Sequence, residues 1–371
     1  EQLNSLLYYA YNYYKYDVVR SIPLLEKLIE KTPDSFPLRC YFCEYLGDLL
    51  RKTGKPDKAT DAYDEAEKLF RAVHDDLGLA NVLKSRGDLL IRTGKPDKAT
   101  DAYDEAEKLY KAVHDDLGLA NVLRSRGDLL IRTGKPDKAT DAYDEAEKLF
   151  RAVHDDLGLA NVLRSRGDLL IRTGKPDKAT DAYDEAEKLY KAVHDDLGLA
   201  NVLRSRGDLL RITGKPDEAT DAYDEAEKLF RAVHNDLGLA NVLQSRGDLL
   251  RITGKPDEAT DAYDEAEKLF RAVHNYLGLA NVLQCKGDLK HLQGDLEGAE
   301  KMYEQALPLY EQVRASMGKC YTLAKLQLCK KVLGDEKGRK ECLAELKKLL
   351  PKQLQIVQRY AEDLIDRADS L

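Results

Sequence analysis

Five Arg-Gly-Asp tripeptides, six histidines in one register, a Cys-x-x-Cys and two ladders of asparagine and aspartate are the groups here whose types and spacing could do chemistry. The tripeptides begin at Arg86, Arg126, Arg166, Arg206 and Arg246. An adhesion ligand must present both charges together on an exposed loop. At 100° per residue in a helix, Arg86 and Asp88 point about 200° apart, so adhesion chemistry is not expected. The histidines are His74, His114, His154, His194, His234 and His274, beside Asp75, Asp115, Asp155 and Asp195 in four of the copies. A metal needs ligands that converge on one ion, and copies one repeat apart do not. They read as polar or capping residues at a bend. Cys40-Tyr41-Phe42-Cys43 lacks a second Cys-x-x-Cys at zinc-site spacing and falls inside a helix, so burial as small apolar side chains is expected. No Gly-rich phosphate loop, nucleophile elbow or His-Glu-x-x-His occurs. Neither catalysis, a cofactor nor a metal site is expected.

The ladders remain. Asn81, Asn121, Asn161, Asn201, Asn241 and Asn281 form one, and Asp88, Asp128, Asp168, Asp208, Asp248 and Asp288 another. Between them stand Lys84, Arg124, Arg164 and Arg204, which become Gln244 and Gln284. Arg92, Arg132 and Arg172 close the row, after which Ile91-Arg92 inverts to Arg211-Ile212 and Arg251-Ile252. Asparagine offers a donor and an acceptor, so it can hold a peptide backbone in either direction, and the cations would select acidic side chains. A basic N-terminal half and a more neutral C-terminal half result. Simple copying of the repeat, leaving a solvated face, accounts for the same pattern. Arg86 and its copies fall in the middle of an apolar face, where an unpaired charge is costly. Each is expected to snorkel or to pair with a carboxylate such as Glu67 or Glu107.

The elements that must position these groups follow from a period of 40 residues, marked by Gly47, Gly87, Gly127, Gly167, Gly207, Gly247 and Gly287. Residues 94–133 differ from 134–173 only where Tyr110-Lys111 becomes Phe150-Arg151. Such identity points to recent duplication or design, and the divergent ends favour a natural gene with an expanded middle. Leu79, Val82, Leu83 and Leu90 share one face of a helix over 76–93, with Asp76 as its expected N-cap. Gly94 stops it, and Pro96 starts a second helix whose stripe is Ala99, Ala102, Tyr103, Ala106, Leu109 and Val113. Two helices of roughly 26 Å joined by a short turn must fold back antiparallel. One such hairpin cannot cover both its apolar faces, so neighbours must stack.

Gly87, Ala99, Tyr103 and Ala106, with Leu83, Leu90 and Gly94, stand at the signature spacings of a tetratricopeptide repeat. The unit resembles the long form found in kinesin light chain-like proteins and in sensor arms of signal-transducing NTPases, and Ala306-Leu307-Pro308-Leu309-Tyr310 is similar to that group as well. Two features depart from the pattern: no proline follows the second helix, and Arg86 and its copies replace a leucine. The resemblance implies an all-α, right-handed superhelical solenoid whose first helices line a concave groove, with the ladders in it. It implies a non-catalytic scaffold for a protein or peptide partner, possessing an acidic character if the cations select it. A sensor or oligomerisation arm of a signal-transducing ATPase, and a structural solenoid without a ligand, are the rival implications.

Fifty-nine Lys and Arg against 67 Asp and Glu leave a net charge of -8, finely alternating, which argues against nucleic-acid or anionic-membrane partners. No apolar run reaches membrane-spanning length, and six cysteines are too few for a disulfide scaffold, so a soluble cytoplasmic protein is expected. The opening residue Glu1 predicts a fragment or processed form with a further domain elsewhere. Domain boundaries are expected at 1–35 for an N-terminal hairpin cap rich in tyrosine, 36–315 for seven repeats, 316–350 for a degenerate eighth and 351–371 for a capping helix. Self-association would use those caps.

Overall fold

The computed structural model describes residues 18–33, 36, 38–353 and 355–370. Among them the chain is all-α, with helices α1 (Val18–Lys31), α2 (Arg39–Lys52), α3 (Pro56–Val73), α4 (Asp76–Arg92), α5 (Pro96–Ala112), α6 (Asp116–Arg132), α7 (Pro136–Ala152), α8 (Asp156–Arg172) and α9 (Pro176–Ala192). There follow α10 (Asp196–Ile212), α11 (Pro216–Ala232), α12 (Asp236–Ile252), α13 (Pro256–Ala272), α14 (Tyr276–Leu292), α15 (Leu296–Gln312), α16 (Ser316–Val332), α17 (Glu336–Leu349) and α18 (Gln355–Asp369). Two compact units form, Glu1–Leu189 and Tyr190–Leu371. None of the described helices is long and apolar enough to cross a membrane.

The hairpins from α2 through α13 are built the same way. At the end of α4 the chain passes through Gly94 at φ 73°, and Lys95 N–H returns to the Leu90 carbonyl at 2.9 Å. A Cβ at Gly94 would meet nothing, so glycine is there for its left-handed backbone and not for space. Pro96 then occupies the first turn of α5, where its missing N–H leaves no bond unmade. Between hairpins the left-handed position is held by His74 at φ 56° and its equivalents, which places the histidines at the bend as expected. Asp75, and not Asp76, is the N-cap of α4: its carboxylate accepts from Gly78 N–H at 2.9 Å, while Asp76 already lies inside the helix.

A second type of glycine decides the packing. A Cβ on Gly87 would lie 2.4 Å from Tyr103 of the facing helix, and one on Gly118 would lie 2.2 Å from Tyr110 of the preceding hairpin. One glycine therefore closes each hairpin and the other seats each hairpin on the next. Tyr103, Tyr143, Tyr183, Tyr223 and Tyr263 are fully buried in these seats. The expected apolar stripes were too narrow. Leu90 and Leu109 are only half-buried and Val113 is exposed, whereas Leu89 and Tyr110 are buried. Every helix is covered on two sides, by its partner and by the next hairpin, so a single stripe misses the second contact. Val113 follows the end of α5 and turns out with the bend.

Removal of residues 134–173 rejoins Thr133 to Gly174 in an unchanged Thr-Gly-Lys turn. The shortened chain is expected to stay folded, with the same helical ellipticity per residue, because each hairpin contacts only its neighbours. A chain that loses its cooperative far-UV transition would contradict the repeat organisation.

Of the expected N-terminal hairpin, residues 1–17, including its tyrosines, lie outside the described residues. Helix α1 packs on α2. At the other end α18 packs on α16, and Val357, Ala361 and Leu364 join Cys320, Cys329 and Leu346 in one core. Gln327 is fully buried there, its amide donating to the carbonyls of Ala324 at 3.2 Å and Leu364 at 3.0 Å. Cys40, Cys43, Cys320, Cys329 and Cys342 are buried. Burial pushes the Cys40, Cys329 and Cys342 thiols up to about 11, which keeps them protonated and unreactive.

Candidate functional site

Leu77, Asn81, Lys84 and Asp88 succeed one another by four, three and four residues along α4, the spacing of a single helix face. In the first unit α2, α4, α6 and α8 pack each on the next, and in the second α10, α12 and α14 do so. Within each unit the equivalent faces therefore adjoin. Arg71, Arg151 and Arg231 instead bridge consecutive second helices, to Glu105 at 2.7 Å and to Glu185 and Glu265 at 2.8 Å. Lys111, in the one hairpin type that differs, reaches only its own helix at Glu107, 2.7 Å away. These surface pairs are exposed and contribute little to stability.

The aspartate ladder does not stand free on the face. Asp88 accepts from the buried Tyr103 hydroxyl at 2.6 Å and from Lys84 at 2.8 Å. The pattern recurs at Asp128 with Tyr143, Asp168 with Tyr183, Asp208 with Tyr223, Asp248 with Tyr263 and Asp288 with Tyr303, all between 2.5 and 2.7 Å. Burial pushes the Asp88 carboxyl up, but Lys84 beside it and the hydrogen bonds from Lys84 and Tyr103 outweigh that and hold it below the usual carboxylate range. Expected opposite the core, these aspartates instead close its edge. A tyrosine whose ring fills the glycine seat carries its hydroxyl to that edge and needs an acceptor there.

The cations are tied to the same carboxylates. Arg124, Arg164 and Arg204 lie 3.6, 3.4 and 3.1 Å from Asp128, Asp168 and Asp208. Arg92, Arg132 and Arg172 are exposed. Asn121, Asn201 and Asn241 donate one amide hydrogen to the carbonyls of Leu117, Leu197 and Leu237 at 2.8 to 2.9 Å. Asn81 and Asn281 instead accept from Tyr110 at 2.7 Å and Tyr310 at 2.8 Å. Where phenylalanine replaces that tyrosine the hydroxyl is gone, so the single Tyr-to-Phe change between copies alters what the asparagine can offer. In the second unit Arg204 still holds the cation position, and Gln244 and Gln284 take it in the next two copies.

The Ile-Arg inversion relocates a charge and does not remove one. Arg211 and Arg251 turn toward the Tyr223 and Tyr263 hydroxyls, where burial opposes their charge and the tyrosines and Asp208 or Asp248 restore it, holding both above the ordinary range. Ile212 and Ile252 move out into solvent. Arg51 makes the same arrangement, donating to Tyr63 at 3.2 Å beside Asp48. Arg86, Arg126 and Arg166 each reach back to the preceding hairpin, to Glu67, Glu107 and Glu147 and also to Asp64, Asp104 and Asp144. The half-buried guanidinium expected to need a carboxylate has two.

Leu77, Leu117, Leu157, Leu197, Leu237 and Leu277 are exposed at the start of the first helices, one turn before each asparagine. Sequence reasoning passed over them; their signal was a leucine outside the apolar stripe in six consecutive copies. At the register of Lys84 the first repeat carries Glu44, a buried carboxylate near Asp48 and Asp75, and at the register of Asn81 it carries Tyr41, which donates to Asp75 at 2.5 Å. Burial, with Asp48 and Asp75 adding to it, pushes Glu44 up to about 8. Among the described residues no group of three His, Cys, Asp or Glu converges as a metal site.

The Tetratricopeptide repeat family model matches residues 41–112, 118–192, 159–232, 198–272 and 238–312. No curated protein matches by sequence. Among solved structures the chain is similar to Rap protein complexed with Competence and Sporulation Factor, at 16% identity and a TM-score of 0.60 over 90% of this chain and 99% of that one. It is similar to the apo quorum sensor NprR from B. thuringiensis, at 16% identity and a TM-score of 0.62 over 94% and 97%. It is also similar to a signal transduction ATPase with numerous domains that has a tetratricopeptide repeat sensor, from Pyrococcus horikoshii, at 15% identity and a TM-score of 0.60. That match covers 95% of this chain and 54% of the ATPase, so the chain spans about half the length of that protein. At these identities the likeness shows the fold.

Proposed function

Because the chain belongs to the tetratricopeptide repeat family, we propose that it is a non-catalytic scaffold that holds a protein or peptide segment on the first-helix face of its repeats. The carrying observation is the row of an exposed leucine, an asparagine and a cation or glutamine, repeated in register within each unit. Leucines offer apolar area, and the asparagines keep a carbonyl oxygen or a second amide hydrogen for a partner backbone. Arg124 sits 3.6 Å from Asp128, so its guanidinium retains donors for an acidic side chain. Rap protein, of the same fold, was crystallised with Competence and Sporulation Factor, and NprR is a quorum sensor; both support a binding role. The second reading, a sensor arm, is favoured by the match of nearly the whole chain to the ATPase that has such a sensor. A nucleotide-binding domain in the same gene would decide for it.

The test uses pools of fluorescein-labelled decapeptides, each with one position held constant and the others randomised, and reads anisotropy. Asn121→Ala with Asn161→Ala is expected to weaken all bound pools by about tenfold, since backbone contacts carry no side-chain information. Arg124→Gln with Arg164→Gln should weaken the Asp-bearing pool most and flatten its salt dependence. Asp104 and Glu105 are engaged with Arg126 and Arg71, so the control on the second-helix face is Asp101, Asp141 and Asp181, all exposed. Binding that ignores all four changes but disappears with Asp101→Asn, Asp141→Asn and Asp181→Asn would move the site to the other face.

A further inference from the structure

One place on the first-helix face of the second unit is a cavity and not a flat row of side chains. It has a volume of about 480 Å³ and is walled by Leu277, Tyr310, Met317 and Tyr321, with the amides of Asn281 and Gln284 on one side. No aspartate, glutamate, lysine, arginine or histidine lines it. Two substitutions account for that. Gln284 stands where Lys84, Arg124 and Arg164 stand in the first unit, and Ala315 stands where Asp75 and Asp115 cap the earlier first helices. Ala315 leaves its helix without a side-chain cap, while Gln284 takes a hydroxyl hydrogen bond and Lys325 replaces the missing cation as the partner of Asp288, at 2.6 Å. Both clear charge and bulk from the same spot.

The amides are set for a ligand. The Tyr310 hydroxyl lies 2.8 Å from Asn281 Oδ1 and 3.1 Å from Gln284 Oε1 and donates its one proton to the nearer Asn281, while Gln284 Oε1 accepts from Thr322 at 2.9 Å. With a hydroxyl proton already on each carbonyl oxygen, both amides still carry an NH2 group, a donor for a backbone carbonyl. A charged side chain entering here would lose its hydration without meeting a counter-ion. An aliphatic or aromatic one would be flanked by two rings, a leucine and a methionine.

We propose that this cavity is the subsite for an uncharged, apolar side chain of the partner peptide, whose flanking carbonyls are held by Asn281 and Gln284. The inference rests on the first-helix face being the binding face, and adds that its second unit selects leucine, methionine or phenylalanine where its first unit selects acidic residues. In the same peptide pools, those with Leu, Met or Phe at the constant position should bind the full chain at least tenfold more tightly than those with Asp or Lys. Leu277→Lys and Met317→Lys alter exposed side chains, so the fold, checked by circular dichroism, is retained. Each should bring the apolar pools down to the level of the Asp pool. Gln284→Arg, which restores the first-unit residue, should shift preference toward Asp. An apolar preference that survives Met317→Lys and Gln284→Arg, or no apolar preference at all, overturns the subsite. If the asparagine pair of the first unit still governs binding in that case, the face stands and only the cavity reading falls. If no pool binds, both fall together.

Discussion

Glu44→Gln is expected to stabilise the first repeat by about 4 kcal/mol at pH 8 and by almost nothing at pH 4. The carboxyl is buried on α2, where loss of hydration, with Asp48 and Asp75 adding to it, pushes it up to about 8. Its ordinary value is 4.5, so the fold prefers the protonated form. Full stability is therefore present below the unfolded value, and it is lost as pH rises from about 4.5 through about 8. The slope approaches about 1.4 kcal/mol per pH unit across that window, which no surface pair can match. Glutamine has the shape of the protonated acid without its proton, so the variant should be flat where the natural chain declines. Amide hydrogen exchange of α2 at pH 5 and pH 8 reads this locally, free of the other repeats. Equal pH dependence in both proteins would mean that Glu44 is hydrated in solution.

Gly158→Ala is the second change with a large expected effect, because it acts on the seat between hairpins. The added Cβ would lie 2.2 Å from Phe150 Cε1 and 2.6 Å from Asp155 Oδ2, so it strikes both the ring that fills the seat and the carboxylate that caps α8. Phe150 is fully buried and cannot swing aside. Overpacking on the order of 1 to 3 kcal/mol follows, and loss of the cap adds about 1 kcal/mol. Since neighbour contacts carry the cooperativity of a repeat array, urea unfolding should split into two transitions. Gly127→Ala meets Tyr143 at 2.4 Å but within one hairpin, and should lower stability without dividing the transition. Gly134→Ala meets nothing within 4 Å and should cost only the left-handed backbone penalty of about 1 kcal/mol. A Gly158→Ala chain that unfolds at the natural midpoint in one step would contradict the seat.

The helix pairs, the Gly94 turn, the Pro96 start and the histidine bends were legible from residue order because each depends on local backbone chemistry. Proline and glycine act on their own dihedrals, and apolar spacing of three and four residues needs no knowledge of neighbours. The pairing of Arg86 was legible for a related reason. A guanidinium in an apolar stripe must find a carboxylate somewhere, and Glu67 is within reach of the helix it faces.

What the linear order could not decide is which side of each residue meets which neighbour. Asp88 and Asn81 have the polarity of a face opposite the core, where their sequence pattern fits either a partner-binding ladder or plain solvation. Only the ring of Tyr103, laid against Gly87 with its hydroxyl at the edge, turns Asp88 into a structural acceptor. The exposed leucines have the opposite history: apolar by type, they stand outside the core because the stacked hairpins leave that turn uncovered. Glu44 looks like any surface glutamate until α2 is packed and Asp48 and Asp75 are brought beside it. Periodicity is a property of one helix and can be read along the chain. Burial, hydrogen-bond partners and shifted acidity are properties of pairs of helices, and they exist only once the hairpins have stacked.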